Sequence, residues 1–171
     1  METMEAIKGR RSIRSYSAEP VNDEQVELLI EAAMYAPSAG NEQPWEFIII
    51  DSREMLDRIA AEHEHAQMVG EAPVAVLICG VMERVKHGKM WVQDCAAATQ
   101  NFMLAAHDQG LGTCWIGVYP RPEREKLFYE MLDLPEEVVP FSLISLGKPA
   151  ADYPEVDRFK PERIHKNSWP G

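Results

Sequence analysis

The stretch Val74-Ala75-Val76-Leu77-Ile78-Cys79 contains six apolar residues in succession. A strand exposed on one face, or an amphipathic helix, would interrupt such a run with polar side chains. A strand that other elements cover on both faces does not need them. The run therefore predicts a central buried strand, with helices packed on both faces of its sheet.

Three further stretches predict the other strands of this sheet. They cover residues 47–50, 113–119 and 138–146, and each is rich in apolar side chains. Pro140 falls within the last of them. Because proline has no backbone N–H to donate, we expect this part of the strand at a sheet edge or at a bulge.

Apolar residues at helical spacing predict helices between the strands. Asn22 followed by Gln25 is a reciprocal cap that begins one helix, and Pro37 ends it. The longest predicted helix covers residues 87–109, with Gly110 as its C-terminal cap. Such a mixture of helices with few strands indicates an α+β or three-layer α/β domain.

The chain shows no internal repeat, and its length suits one domain over residues 1–171. From Gly147 onward prolines recur and apolar periodicity disappears. We therefore expect residues 150–171 to form an extended C-terminal tail. Such a tail cannot build its own core, so it should lie across another surface, of its own subunit or of a second one.

Composition excludes several classes of protein. No apolar run approaches the roughly 18–20 residues that span a bilayer, and residues 1–10 are too charged for a secretory signal. The formal net charge of -11 argues against nucleic-acid binding, which needs a broad basic surface. Cys79, Cys95 and Cys114 lie far apart in apolar contexts, which predicts reduced, buried thiols and a cytoplasmic protein.

The stretch His63-Glu64-His65 is the best candidate for a metal site. Alternate histidines at the end of an acidic helix more often face solvent, and the other histidines lack a ligand spacing. We expect no metal site. No serine, cysteine or histidine arrangement suggests a nucleophile with its base, so an enzyme of this sequence would leave the hard chemistry to a cofactor.

An arginine segment, residues 10–14, stands out in a chain with 28 acidic and 17 basic residues. It places Arg10, Arg11 and Arg14 beside the hydroxyl of Ser12. The planar fork of arginine pairs with phosphate oxygens, and a serine hydroxyl completes such a cradle. The segment therefore favours a phosphorylated ligand, the alternative being an ordinary solvated face.

Two other polar segments are candidates for the same ligand. The polar loop, residues 37–44, is bracketed by prolines and offers small and amide side chains that suit a heteroaromatic ring and a polyol chain. A second basic cluster, residues 157–163, contains Arg158 and Lys160. The clusters at the two chain ends either converge on one dianion or form unrelated solvated patches, and the loop is either a binding loop or an ordinary surface loop.

Several of these stretches together resemble the nitroreductase family of flavin-dependent oxidoreductases. They are Arg10-Arg11-Ser12-Ile13-Arg14-Ser15-Tyr16, Ala36-Pro37-Ser38-Ala39-Gly40-Asn41-Glu42-Gln43-Pro44-Trp45, Gly110-Leu111-Gly112-Thr113-Cys114-Trp115-Ile116-Gly117 and Leu146-Gly147-Lys148-Pro149. The resemblance covers nearly the whole chain. It implies a three-layer α/β/α fold whose central mixed, mostly antiparallel sheet is flanked by helices.

The resemblance also implies an intertwined homodimer with two FMN sites at the subunit interface. Residues that would hold the phosphate and ribityl end are Arg10, Arg11, Ser12 and Arg14, joined from the tail by Arg158 and Lys160. Residues that would approach the flavin from the other subunit are Pro37, Ser38, Ala39, Asn41 and Gln43. Residues that would line the ring on its remaining side are Trp115, Ile116 and Gly117.

The activity that the resemblance implies is transfer of a hydride from NADH or NADPH, through FMN, to a small-molecule acceptor such as a nitroaromatic or quinone. No side chain need act as an essential acid or base. A specialised member that fragments flavin or dehalogenates its substrate, and a non-catalytic flavin-binding module, are the alternatives. Residues 82–90, with Arg84, Lys86, His87 and Lys89, would cover the pocket.

Overall fold

The computed structural model describes residues 1–169 and contains one four-stranded sheet. Its strands are β1 (Trp45–Ile50), β2 (Val74–Val81), β3 (Gly112–Gly117) and β4 (Val138–Gly147). Their order is β1-β2-β4-β3, and every neighbouring pair is antiparallel. Within residues 1–169, the one parallel pairing of backbone is an isolated bridge between Ser12 and Thr113, outside the four strands. Every residue of β2 is buried, as its apolar sequence predicts.

Five α-helices surround the sheet: α1 (Thr3–Gly9), α2 (Asp23–Met34), α3 (Arg53–Glu62), α4 (Trp91–Asp108) and α5 (Pro122–Leu132). The predicted cap of α2 is confirmed, because Asn22 accepts from the Gln25 N–H at 2.8 Å and Gln25 accepts from the Asn22 N–H at 3.2 Å. The predicted start of α4 at residue 87 was wrong. Gly88, with a left-handed φ of 60°, begins a short 3-10 turn, Gly88–Met90, and α4 starts after that turn at Trp91.

The sheet lies between two apolar cores, so the three-layer α+β prediction is confirmed. Because successive side chains of a strand point to opposite faces, Val76 and Ile78 enter one core and Leu77 enters the other. The first core is completed mainly by α2 and α4, through residues such as Leu29 and Phe102. The second core contains buried side chains of α3 and α5.

Pro140 marks a bulge in an interior strand. Ile78 of β2 pairs with Ser142, and Cys79 pairs with Pro140, which leaves Phe141 as the extra residue. The bulge accommodates the missing proline N–H without an edge position, so one of the two predicted explanations is confirmed. Phe141 is buried, and its ring meets Trp115 edge-on at a centroid distance of 6.0 Å.

The three cysteines are free and buried, as predicted. Burial raises the pKa of both the Cys79 and the Cys95 thiol to about 12. Thiols with such a pKa stay protonated and are poor nucleophiles at neutral pH. In the described part of the chain, no helix has the length and apolarity needed to cross a membrane.

The start of the tail pairs with the segment that follows the arginines. The Ser17 N–H donates to the Lys148 carbonyl at 2.9 Å, and the Ala150 N–H donates to the Ser15 carbonyl at 3.1 Å. Residues 150–169 are exposed in the protomer. The last two positions of the predicted tail, 170 and 171, lie outside the described residues.

Candidate functional site

The arginine segment runs beside the outer edge of β3. The Ile13 N–H donates to the Thr113 carbonyl at 2.8 Å, and the Ile13 side chain is buried. Gly112 makes this approach possible, since a Cβ at that position would lie 2.7 Å from Ile13 Cγ1. Arg14, the next residue, is exposed. The segment is therefore anchored by its one apolar side chain, with cations on either side of the anchor.

Arg10 and Arg158 line one cavity of about 900 Å³. Burial lowers the pKa of the Arg10 guanidinium, and repulsion by Arg158 and Arg11 lowers it further. Within residues 1–169, no carboxylate forms an ion pair with Arg10, Arg14 or Arg158. Glu5, Glu155 and Asp157 also line this cavity, but none of them pairs with Arg10 or Arg158. The guanidinium groups therefore keep donors for an anionic ligand.

Arg11 has a different environment from Arg10. Its Nη1 donates to the carbonyls of Lys8, Gly9 and Arg10 at 2.6, 3.0 and 2.9 Å. Its Nε donates to the Pro154 carbonyl at 3.2 Å. These bonds satisfy the C-terminal carbonyls of α1 and fasten the tail to it. Arg11 thus adds positive charge to the cavity but keeps few donors for a ligand, while Lys160 is exposed and lines no part of that cavity.

A second cavity, of about 410 Å³, lies at the end of β3. Four residues predicted from the sequence contribute to its wall, together with His65 of the rejected metal candidate and two polar residues that the sequence did not single out. The lining includes Arg14, Trp115, Ile116, Gly117, His65, Gln67 and Arg124. Because Trp115 and Ile116 are adjacent in a strand, they face opposite ways: Ile116 is buried in the core of α3 and α5, while Trp115 is exposed.

Arg124 fixes the end of β3 from the N-terminal turn of α5. Its Nη1 donates to the Gly117 carbonyl at 2.9 Å, and its Nη2 donates to Glu64 Oε1 at 2.6 Å. Arg124 lies seven residues after Gly117, but Glu64 lies 60 residues away in the chain, and only the fold brings it to Arg124. No spacing or motif could have revealed this contact, which positions Gly117 in the cavity wall.

His63 is buried, in contrast to the predicted solvent-facing position. It is 2% exposed, whereas the His65 side chain is 66% exposed. His63 Nδ1 accepts from the His65 N–H at 3.2 Å. Burial lowers the pKa of His63, and the nearby Arg124 and His65 lower it further. His63 is therefore a neutral packing residue under the cavity rather than an exposed one.

This burial predicts a loss of stability in mild acid. A histidine whose folded pKa lies below its ordinary value of 6.5 takes up its proton more readily in the unfolded state. The free energy of unfolding should fall as the pH drops below about 6.5, towards the lower pKa of the folded protein. Urea denaturation at pH 7.5, 6.5 and 5.5 measures this change in the free energy of unfolding.

His63→Gln should make this pH dependence shallower, while His165→Gln, at an exposed histidine of the tail, should leave it unchanged. Some dependence will remain in both variants, because burial and Arg10 also lower the pKa of His107. Equal slopes for wild type and His63→Gln would contradict the assignment.

The polar loop, residues 37–44, has an unusual backbone. Gly40, Asn41 and Gln43 have left-handed φ values of 56°, 57° and 47°. Ser38 Oγ accepts from the Gln43 N–H at 3.0 Å, and Asn41 Oδ1 accepts from Gln43 Nε2 at 2.9 Å. Two non-glycine residues held in this region indicate strain that the surroundings maintain, a pattern that clusters at functional sites.

Asp94 anchors the polar loop from helix α4. Its carboxylate is buried, and Oδ1 accepts from the Ala39 N–H at 3.0 Å. Neither cavity described above is lined by any residue of the loop. Within one protomer the loop therefore shares neither cavity with the arginine segment.

Comparison with known proteins agrees with this fold. The model of the Nitroreductase family matches residues 7–79 and 60–148. A protein of Archaeoglobus fulgidus named "Putative NADH dehydrogenase/NAD(P)H nitroreductase" is 47% identical over 172 residues, which cover 98% of this chain and 99% of that protein. The Bacillus subtilis protein "FMN reductase [NAD(P)H]" is 30% identical, over 96% of this chain and 72% of its own length.

A solved structure from Desulfovibrio desulfuricans, described as "a putative nitroreductase in complex with fmn", superimposes with a TM-score of 0.86. It is 31% identical and covers 99% of each chain. The three-layer fold and these similarities thus define a class of flavin-dependent oxidoreductases. The chain belongs to the nitroreductase family.

Proposed function

We propose that this protein moves a hydride from NADH or NADPH, through bound FMN, to a nitroaromatic, a quinone or a similar acceptor. Family membership makes the chain an NAD(P)H-dependent flavin oxidoreductase with FMN as its cofactor. When bound, FMN supplies the redox chemistry that no side chain of this protein can provide. The observation that carries the proposal is the set of arginines without carboxylate partners.

These residues fit an FMN molecule. Arg10 and Arg158 offer guanidinium donors for the dianionic phosphate, while Arg14 lines the second cavity. The Ser12 hydroxyl makes no hydrogen bond within residues 1–169 that would compete. Trp115 presents an exposed aromatic side chain beside Gly117, which suits the edge of a planar ring. Of the other two basic residues predicted to hold the phosphate, Arg11 adds positive charge to the cavity, and Lys160 lies outside it.

A homodimer is part of the proposal. One ligand can touch both the arginine segment and the polar loop if the loop comes from a second copy, because within one protomer the loop shares neither cavity with the arginine segment. Exposed apolar side chains support such an interface. They lie on α1 (Met4, Ile7), at the end of α2 (Met34, Tyr35) and in the tail (Phe159). Apolar exposure of this extent is typical of surfaces that a partner covers.

The roles left to the chain are binding, orientation and exclusion of water. The rigid polar loop, fixed through Ala39 by Asp94, would orient the flavin against the wall formed at the end of β3. Arg14, which pairs with no carboxylate in residues 1–169, places positive charge in that wall, whereas the charge of Arg124 is paired with Glu64. Preorganised positive charge near a group that gains electrons favours its reduced form, without any proton transfer by a side chain.

Purification tests the proposal directly. The protein should be yellow, with FMN released on denaturation, and NADH or NADPH should bleach the colour in the absence of air. Adding a quinone or nitrofurazone should restore the yellow colour. With excess NADH or NADPH, the protein should then oxidise many equivalents of the nucleotide. A protein that takes up no FMN would overturn the proposal, and one that binds FMN but oxidises no NAD(P)H would be a non-catalytic flavin module.

A further inference from the structure

The basic segment, residues 82–90, is fastened to the polar loop by a buried carboxylate. The Glu42 side chain is only 4% exposed, and its Oε1 accepts from the Lys86 N–H at 2.8 Å. The same oxygen bonds to His87 Nδ1 at 2.5 Å. Hydrogen bonds to a charged, desolvated acceptor are among the stronger ones in proteins. Glu42 thus ties the two segments into one unit.

His87 also packs directly on the polar loop. Its Cε1 lies so close to Gly40 that a Cβ at that glycine would be 2.6 Å away. Glycine is required at position 40 for two reasons: a side chain would collide with His87, and the backbone has a left-handed φ. The basic segment is therefore in contact with the part of the loop that we propose to face the flavin, and it lies at the rim of that site.

Two lysines of the basic segment carry charge that no described residue neutralises. Arg84 is paired with Glu46, and His87 with Glu42. In residues 1–169, neither Lys86 nor Lys89 forms an ion pair with a carboxylate, and both are exposed. Glu83, in the same segment, pairs with neither lysine, so the ammonium groups of Lys86 and Lys89 remain available to bind an anion at this rim.

We infer that Lys86 and Lys89 bind the phosphate groups of the nicotinamide nucleotide. The inference rests on the proposed function. A nicotinamide ring that delivers its hydride must reach the flavin, while the charged phosphates of the same molecule stay at the solvent-facing rim. Cations at that rim bind either the pyrophosphate, which NADH and NADPH share, or the 2′-phosphate of NADPH alone. Glu42 is the positioning residue that keeps both lysines there.

Calorimetry on the FMN-loaded protein tests the inference without turnover. In Lys86→Ala/Lys89→Ala, the dissociation constant of NADP⁺ should rise about tenfold, which corresponds to about 1.4 kcal/mol. An equal rise for NAD⁺ assigns the lysines to the pyrophosphate, and a rise confined to NADP⁺ assigns them to the 2′-phosphate. In steady-state assays KM for the matching nucleotide should rise while kcat is kept.

Lys126→Ala is the matched control. Lys126 is an exposed lysine on α5, paired with Glu130, and its loss should leave both dissociation constants unchanged. An unaltered flavin spectrum in the double variant shows that the flavin site is intact. Unchanged affinity for both nucleotides in that variant would overturn the inference. Wild-type protein that binds FMN but is not reduced by either nucleotide would instead overturn the proposed function.

Discussion

Arg10→Ala is expected to raise the dissociation constant of FMN by about 10- to 150-fold. This range follows from about 1.5–3 kcal/mol for hydrogen bonds to a charged group. Arg10 is half-buried, and its guanidinium is repelled by Arg158 and Arg11 in the protomer. An anion that relieves this repulsion binds more tightly than one at an isolated exposed arginine. Fluorescence titration of apoprotein with FMN measures the effect.

The fold should survive this substitution, because the Arg10 side chain makes no hydrogen bond or ion pair within the described chain. Arg58→Ala is the matched control, since Arg58 on α3 pairs with Glu62 four residues later. It should leave FMN affinity unchanged. If Arg10→Ala and Arg58→Ala both bind FMN as the wild type does, the phosphate site lies elsewhere.

Phe102→Ala should lower the free energy of unfolding by about 3–5 kcal/mol. Phe102 of α4 is 0% exposed and belongs to the core that joins α2 to the sheet, with Leu29 and Ile144. Removing its ring leaves a cavity that rigid neighbours on three elements cannot fill. Chemical denaturation of the apoprotein measures the loss.

The same substitution at Phe159, which is 68% exposed in the tail, provides the control. It should change the free energy of unfolding of the protomer by less than about 0.5 kcal/mol. If Phe102→Ala lowers the free energy of unfolding by less than about 1 kcal/mol, the close packing of Phe102 in this core is contradicted.

The sequence was sufficient for those parts of the fold that local patterns determine. The apolar run 74–79 predicted the central strand, and Asn22 with Gln25 predicted the start of α2. The start of α4 was misplaced because Gly88 takes a left-handed conformation that composition does not require. From the sequence, Pro140 could lie at a sheet edge or at a bulge. The pairing of β4 with β2 shows that it lies at a bulge.

The candidate site was harder to predict, because its contacts join distant elements. The contacts of Arg124 with Glu64 and Gly117 leave no trace in spacing. Residues 10–14 predicted an anion site, but not that Arg11 would cap α1. Because successive side chains of a strand point to opposite faces, the sequence alone does place Ile116 and Trp115 on opposite faces of the sheet. FMN and the dimer came from resemblance to a family and not from a residue pattern.

A crystal structure of the protein with FMN bound tests the central claim most directly. We expect the FMN phosphate within hydrogen-bond distance of Arg10, with Arg158 of the second basic cluster beside it. We also expect residues 37–44 of a second copy to contact the same flavin. A phosphate bound away from Arg10, or a flavin enclosed by one protomer alone, would contradict the account.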